Sequence, residues 1–152
     1  MRLDIGCGRS PLPNCTTVDL YWTADIHATM WNIPLPEECA EFINCSQALE
    51  HVGKYDVVPT LREWKRLLKP GGTINLEVPD LIWCCRNFIS APGPGRSLDV
   101  LFGYQGEPGE VHQTGFTEQM VRDYCQEAGL TVVEFWRVYK HEMDTLIFTI
   151  RK

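Results

Sequence analysis

Apolar residues along the chain follow two different periods. Short runs rich in β-branched and apolar residues read as strands: RLDI (2–5), TTVDLY (16–21), EFINCS (41–46), TINLEV (73–78), TVVEFWRV (131–138) and DTLIFTI (144–150). A further short strand is predicted around residues 24–26. The interior runs look nearly continuously apolar, which predicts a sheet with both faces covered by helices or a partner. Between them the spacing turns helical. Leu61, Trp64, Leu67 and Leu68 share one face in PTLREWKRLLKPGG, and Lys69-Pro70-Gly71-Gly72 stops that helix. Asp80 can cap a short helix with Leu81, Cys84, Cys85 and Phe88 on one side. Thr117 can cap another whose Met120, Val121, Tyr124, Cys125 and Ala128 point inward, with Gly129 as the stop. Strands alternating with helices predict a single α/β domain over residues 1–152, Rossmann-like, with a mostly parallel twisted sheet. The last two strands are joined by YKHEM, too short for a crossover helix, so the C-terminal strand is expected to be antiparallel.

Residues 91–116 break both periods. Gly93, Gly95, Gly103, Gly106, Gly109 and Gly115, with Pro92, Pro94 and Pro108, leave no room for a long regular element. The apolar residues among them, such as Leu98, Val100, Leu101, Phe102 and Tyr104, predict an ordered loop that covers a site.

Composition narrows the function. A formal net charge of −6 with no basic cluster makes nucleic acid an unlikely partner. No apolar run approaches the roughly 20 residues that cross a bilayer. The N-terminal MRLDIGCG is strand-like at once, so no signal peptide is expected and a cytoplasmic location is. Seven cysteines, an odd number without a CxxC pair, predict reduced thiols rather than a disulfide framework or zinc site.

The candidate chemistry begins at Gly6-Cys7-Gly8, directly after the first strand. Glycine suits a sharp turn that a ligand must approach closely. Asp19, ending the next strand, is placed to accept both hydroxyls of a ribose. A dinucleotide also needs its pyrophosphate seated on a helix N-terminus, and here Pro11-Leu12-Pro13 replaces the start of that helix. S-adenosyl-L-methionine carries no phosphate, so a glycine turn and an acid suffice for it.

LDIGCG, VDL, ADIHATMWNIPLP, INCSQALEHV and LREWKRLLKPGG leading into TINLEVPD occur in that order. In this order they resemble class I S-adenosylmethionine-dependent methyltransferases, and a compact bacterial and phage branch (methyltransferase type 11-like) in particular. The segment GYQGEPGEVHQTGFTEQMVRDYCQEAGL resembles the same branch. The resemblance implies that Asp4, Gly6, Cys7 and Gly8 line the methionine part of the cofactor. It places Asp19 on the ribose, Leu20 against the adenine, and Asp25 with the Ile26 backbone at the adenine edge. Ser46 and Gln47 would close over the methionine. The helices before and after the first strand are missing from the pattern, and Ser10 stands where many members carry a third glycine.

Glu50, His51 and His112 are the catalytic candidates. His51 follows the fourth strand at the carboxyl edge where α/β sites form, and His112 lies in the glycine-rich cover. With one Glu-His pair and no third ligand in view, no metal is expected. The expected reaction is methyl transfer to oxygen or nitrogen of a small-molecule or saccharide-type acceptor. A cofactor-binding assembly or regulatory module without transferase activity is the alternative. Leu12, Trp22, Met30 and Trp31 lie in links across the side that lacks helices, which predicts a homodimer covering an apolar sheet face.

Overall fold

The computed structural model describes residues 1–152. Its strands are β1 (Arg2–Ile5), β2 (Thr16–Asp19), β3 (Ile26–His27), β4 (Ala40–Ser46), β5 (Leu68–Pro79), β6 (Thr131–Lys140) and β7 (Met143–Arg151). Its helices are α1 (Val57–Leu67), α2 (Leu81–Ser90), α3 (Arg96–Phe102) and α4 (Glu118–Ala128). All seven strands form one sheet in the order β3-β2-β1-β4-β5-β7-β6. The first five pair in parallel, and β7 runs antiparallel to both β5 and β6. This is the Rossmann-like, mostly parallel arrangement that the alternation predicts, with the antiparallel C-terminal strand.

The helices form where the sequence places their signals. In α1 the residues Val57, Val58, Leu61, Trp64 and Leu67 are buried on one side, with Pro59 in the first turn, where its missing N–H costs nothing. The Thr117 hydroxyl accepts from Met120 N–H at 3.2 Å to start α4, and Gly129, at φ 74°, ends it. Asp80 caps α2 through Ile82 N–H, but only Cys84 of its four predicted inward residues is buried, and Cys85 is exposed. The Lys69–Gly72 stop is absorbed into the start of β5, as an irregularity between the Ala40–Leu68 and Phe42–Thr73 pairs. Residues 91–116 hold one short helix, α3.

Both α1 and α4 pack on one face of the sheet, over Leu3, Ile5, Ile43, Cys45, Ile74, Leu76, Leu146, Phe148 and Ile150. The expectation of two apolar faces is corrected on the other side. Aligned positions there are polar: Asp4 opposite Asn44, Asn44 opposite Asn75, Asn75 opposite Thr149, and Thr149 opposite Glu134. Asn44 donates to Asp4 at 2.7 Å, Asn75 to Asn44 at 2.8 Å, and Thr149 to Glu134 at 3.2 Å. The strands therefore alternate with period two, like half-wet strands rather than fully buried ones. Trp22, Met30 and Trp31 face the cleft described below, so the burial argument for a second copy lapses.

Candidate functional site

The parallel strands point their carboxyl ends at a cleft of about 380 Å³. The turn after β1 makes its floor. Gly6 has φ 69°, and a Cβ there would stand 2.4 Å from the Ala48 Cβ, so only glycine lets the β1 turn pass the turn after β4. Gly6 N–H donates to Val18 O at 2.8 Å, which locks the loop to β2.

Asp19 ends β2 beside this loop, 8% exposed. Its carboxylate accepts from Gly8 N–H at 2.9 Å, Tyr21 N–H at 2.8 Å and Trp22 N–H at 3.0 Å. A carboxylate has about four acceptor sites, so about one remains for a ligand hydroxyl. Leu20, Trp22, Met30 and Trp31 form apolar walls, and Leu20 and Trp31 are each 46% exposed. Arg9 stacks its guanidinium on the Trp22 ring at 4.1 Å. The roof is a strap, residues 103–113, whose Gly109 lies against the Tyr21 ring. A Cβ at Gly109 would sit 2.4 Å from that ring.

Of the cofactor residues expected from sequence, Gly6, Gly8, Asp19, Leu20 and Gln47 line the cleft. Gln47 has a positive φ of 53°, and its buried Nε2 has no hydrogen-bond partner. The others do not line it. Asp4 lies behind the loop, where its carboxylate takes Leu12 N–H at 2.7 Å and the Asn44 amide. Cys7 is buried, its thiol pushed up to about 11 by that burial and by the Asp19 and Asp4 carboxylates. Ser46 donates to Glu77 at 2.7 Å. Asp25 accepts from Thr17 N–H at 2.9 Å and the Thr17 hydroxyl at 3.0 Å, which ties β3 to β2, and Ile26 lies in β3 behind it. Trp22, Met30 and Trp31, expected in links over a bare sheet face, supply apolar wall to the cleft instead.

A second cavity of about 370 Å³ adjoins the cleft and shares Gln47, His51 and Glu110 with it. Glu50 and His51 belong to a single 3-10 turn (Leu49–His51) after β4, and His112 comes from the strap. Backbone bonds clamp the two segments together. Gln113 and Thr114 N–H donate to Glu50 O at 2.8 and 3.1 Å, and the Thr114 hydroxyl donates to Val52 O at 2.7 Å. The His51 and His112 rings consequently stand edge to face, centroids 4.8 Å apart. His51 Nδ1 lies 3.1 Å from Val111 O, and His112 Nδ1 lies 2.7 Å from Val100 O. Carbonyls only accept, so both rings carry their hydrogen on Nδ1 and keep a lone pair on Nε2. Burial lowers both histidines against these carbonyls, which leaves them neutral at pH 7.

Glu50 is 2% exposed, and burial pushes its carboxyl up to about 8. Its Oε2 has no hydrogen-bond partner. All three catalytic candidates therefore meet in one place. The structure also supplies the third potential metal ligand that the sequence did not reveal: one donor atom from each residue lies within 4.8 Å of the others.

No helix is long and apolar enough to cross a membrane. A methyltransferase domain family model matches residues 3–76, and no match exists among curated proteins. Solved structures of similar fold include a Burkholderia thailandensis 1,6-didemethyltoxoflavin-N1-methyltransferase with bound S-adenosylhomocysteine. It is 20% identical, with TM-score 0.72, over 99% of this chain and 70% of that one. A Methanosarcina mazei S-adenosylmethionine-dependent methyltransferase aligns at 16% identity and TM-score 0.75, over 99% and 91% of the two chains. One from Mesorhizobium loti aligns at 16% and 0.67, over 99% and 90%. With its glycine turn, the carboxylate ending β2 and this strand order, the chain has the fold of S-adenosylmethionine-dependent methyltransferases, and its residues 3–76 match their methyltransferase domain model.

Proposed function

We propose that the enzyme methylates an oxygen or nitrogen of a small, polar acceptor, of small-molecule or saccharide type, held in the second cavity. The observation that carries this reading is the meeting of Glu50, His51 and His112 where that cavity joins the cofactor cleft. S-adenosylmethionine supplies an electrophilic methyl group on a positively charged sulfur. In the cleft, the remaining acceptor site of Asp19 suits a ribose hydroxyl, Leu20 and Trp22 suit the base, and the unpartnered Gln47 amide suits a carboxylate. A displacement of this kind depends mostly on alignment, which is worth roughly 7–11 kcal/mol for well-oriented pairs. An O–H or N–H acceptor must also lose a proton, and the unprotonated Nε2 nitrogens are the groups placed to take it, beside a Glu50 carboxyl that burial keeps mostly protonated at pH 7.

The remaining wall sets charges of both signs beside Pro79, Val100 and Met143. Arg96, Asp99, Tyr104 and Glu110 face the same space, which matches a hydroxyl-rich or zwitterionic molecule better than a flat apolar ring. The test is release of S-adenosylhomocysteine, followed by mass spectrometry, across a panel of sugars, polyols, amines and apolar aromatics. Turnover confined to polar members is expected. Turnover confined to apolar aromatic rings would show the reading of the cavity to be wrong.

A further inference from the structure

Glu50, His51 and His112 carry a feature that acceptor binding alone does not account for. Each histidine ties its Nδ1 hydrogen to a backbone carbonyl, His51 to Val111 and His112 to Val100, and the Gln47 backbone stands beside the His51 ring as well. A ring held this way has a fixed tautomer and orientation, which is how metal-binding histidines are held by their outer partners. The Oε2 of Glu50 is buried without a donor, a costly state for a carboxyl oxygen. Arg96, a cation lining the same cavity, does not relieve it. Its guanidinium is committed to His141 O and the Tyr104 hydroxyl. Asp99 and Glu110 add negative charge to the same wall.

We propose that Glu50, His51 and His112 bind one divalent transition cation of the zinc, manganese or cobalt class, bridging the turn after β4 to the strap. Two neutral imidazoles and one carboxylate suit such ions better than magnesium or calcium, which prefer all-oxygen shells. Ligand atoms bound at about 2.0–2.2 Å stand roughly 3–4 Å from one another. The present 4.8 Å spread is wider than that range, and the Glu50 carboxyl, whose Oε2 has no partner, is the ligand free to move inward toward the two held rings. Three protein ligands leave coordination positions open toward the second cavity. The inference thus deepens the acceptor reading above and rests on it for that site's purpose: the cation supplies charge that favours the ionised form of an acceptor hydroxyl.

The site has a structural consequence as well. Glu50 and His51 sit on the sheet edge, whereas His112 sits on the strap, so the cation cross-links the two. Titration of the metal-stripped full chain with Mn²⁺, read by the electron paramagnetic resonance of the free ion, is expected to show one site per chain. Glu50→Gln and His112→Asn are each expected to weaken it at least ~10-fold, since even outer-shell losses cost 10–100-fold. Calorimetric binding of S-adenosylhomocysteine by the same variants reports that the fold is intact. Proteolysis within residues 103–113 of the wild type is expected to slow when Mn²⁺ is added. Absence of saturable Mn²⁺ and Zn²⁺ binding in the wild type, or unchanged Mn²⁺ affinity in both variants, overturns the proposal. Failure of the acceptor reading shows itself separately, as cation binding without turnover on any polar acceptor.

Discussion

Asp19→Ala tests the cofactor cleft most sharply, because the carboxylate serves two masters. It is the acceptor for three backbone N–H groups, of Gly8, Tyr21 and Trp22, and so it fixes the glycine turn before any ligand arrives. Hydrogen bonds to a charged group contribute roughly 1.5–3 kcal/mol each. Three would sum to roughly 4.5–9 kcal/mol, but these amides are partly exposed, and water replaces much of the loss. A net destabilisation of about 2–4 kcal/mol follows, or roughly 5–15 °C in Tm for a chain of this size. The assay is thermal unfolding of wild type and variant with and without S-adenosylhomocysteine. A ligand at 100 times its Kd adds about 2.7 kcal/mol to the wild type, and none of that shift is expected in the variant. The two effects separate cleanly: the first needs no ligand. If the unliganded variant melts within about 1 °C of wild type, the three-amide account of the loop fails. If it melts lower yet still responds fully to ligand, the loop account stands and the ribose assignment falls.

Other perturbations probe other parts of the molecule. Gly6→Ala would force a Cβ to 2.4 Å from the Ala48 Cβ at a positive φ, so it should cost about 2–4 kcal/mol and abolish calorimetric cofactor binding. His51→Ala should keep cofactor binding and lower turnover at least ~100-fold, read from initial rates; a rate near wild type contradicts the role of the junction. Thr117→Ala removes the N-cap of α4 and should lower unfolding free energy by about 0.5–2 kcal/mol in urea. Glu77 gives a pH prediction. Burial would raise its carboxyl, but Lys140 and the Ser46 hydroxyl outweigh that and hold it below the usual range. A depressed carboxyl stabilises the fold above its unfolded value, near 4.5, and loses that contribution as pH falls through the folded value. Lys140→Met should therefore destabilise the protein at pH 7 and leave it nearly equal to wild type well below pH 4.

The parts legible in the sequence were those whose cause is local. Caps at Asp80 and Thr117, the stop at Gly129, the short YKHEM link and the glycine turn each depend on a few neighbouring residues. The meeting of Glu50, His51 and His112 depends on tertiary hydrogen bonds. Sixty-one positions separate His51 from His112, and it is the strap's bonds to Glu50 O that bring them together. Asp25 shows the converse. A carboxylate near a strand end looks like a ligand group, but Thr17 offers it two donors on the adjacent strand, and the local partner wins. The wet face of the sheet was readable and was missed. Asp4, Asn44, Asn75, Glu77 and Thr149 alternate with apolar neighbours, although the β-branched residues around them make the runs look continuously apolar.

That alternation bears on how the site stays rigid with helices α1 and α4 on one face alone. Parallel strands usually have both faces covered, because a bare face leaves apolar side chains in water. Here the side chains on the bare face are bonded across β1, β4 and β5, through Asp4, Asn44 and Asn75. The same Asp4 reaches forward to Leu12 N–H, at the far end of the glycine loop. One side chain thus joins the sheet's polar row to the loop that shapes the cofactor cleft. The chain spends an ionisable group on holding its binding loop from behind, where other proteins of α/β type would place a helix. Asp4 consequently shapes the cleft from outside its lining, and its bond from Leu12 N–H fixes the Pro11-Leu12-Pro13 segment that stands where a helix would follow β1.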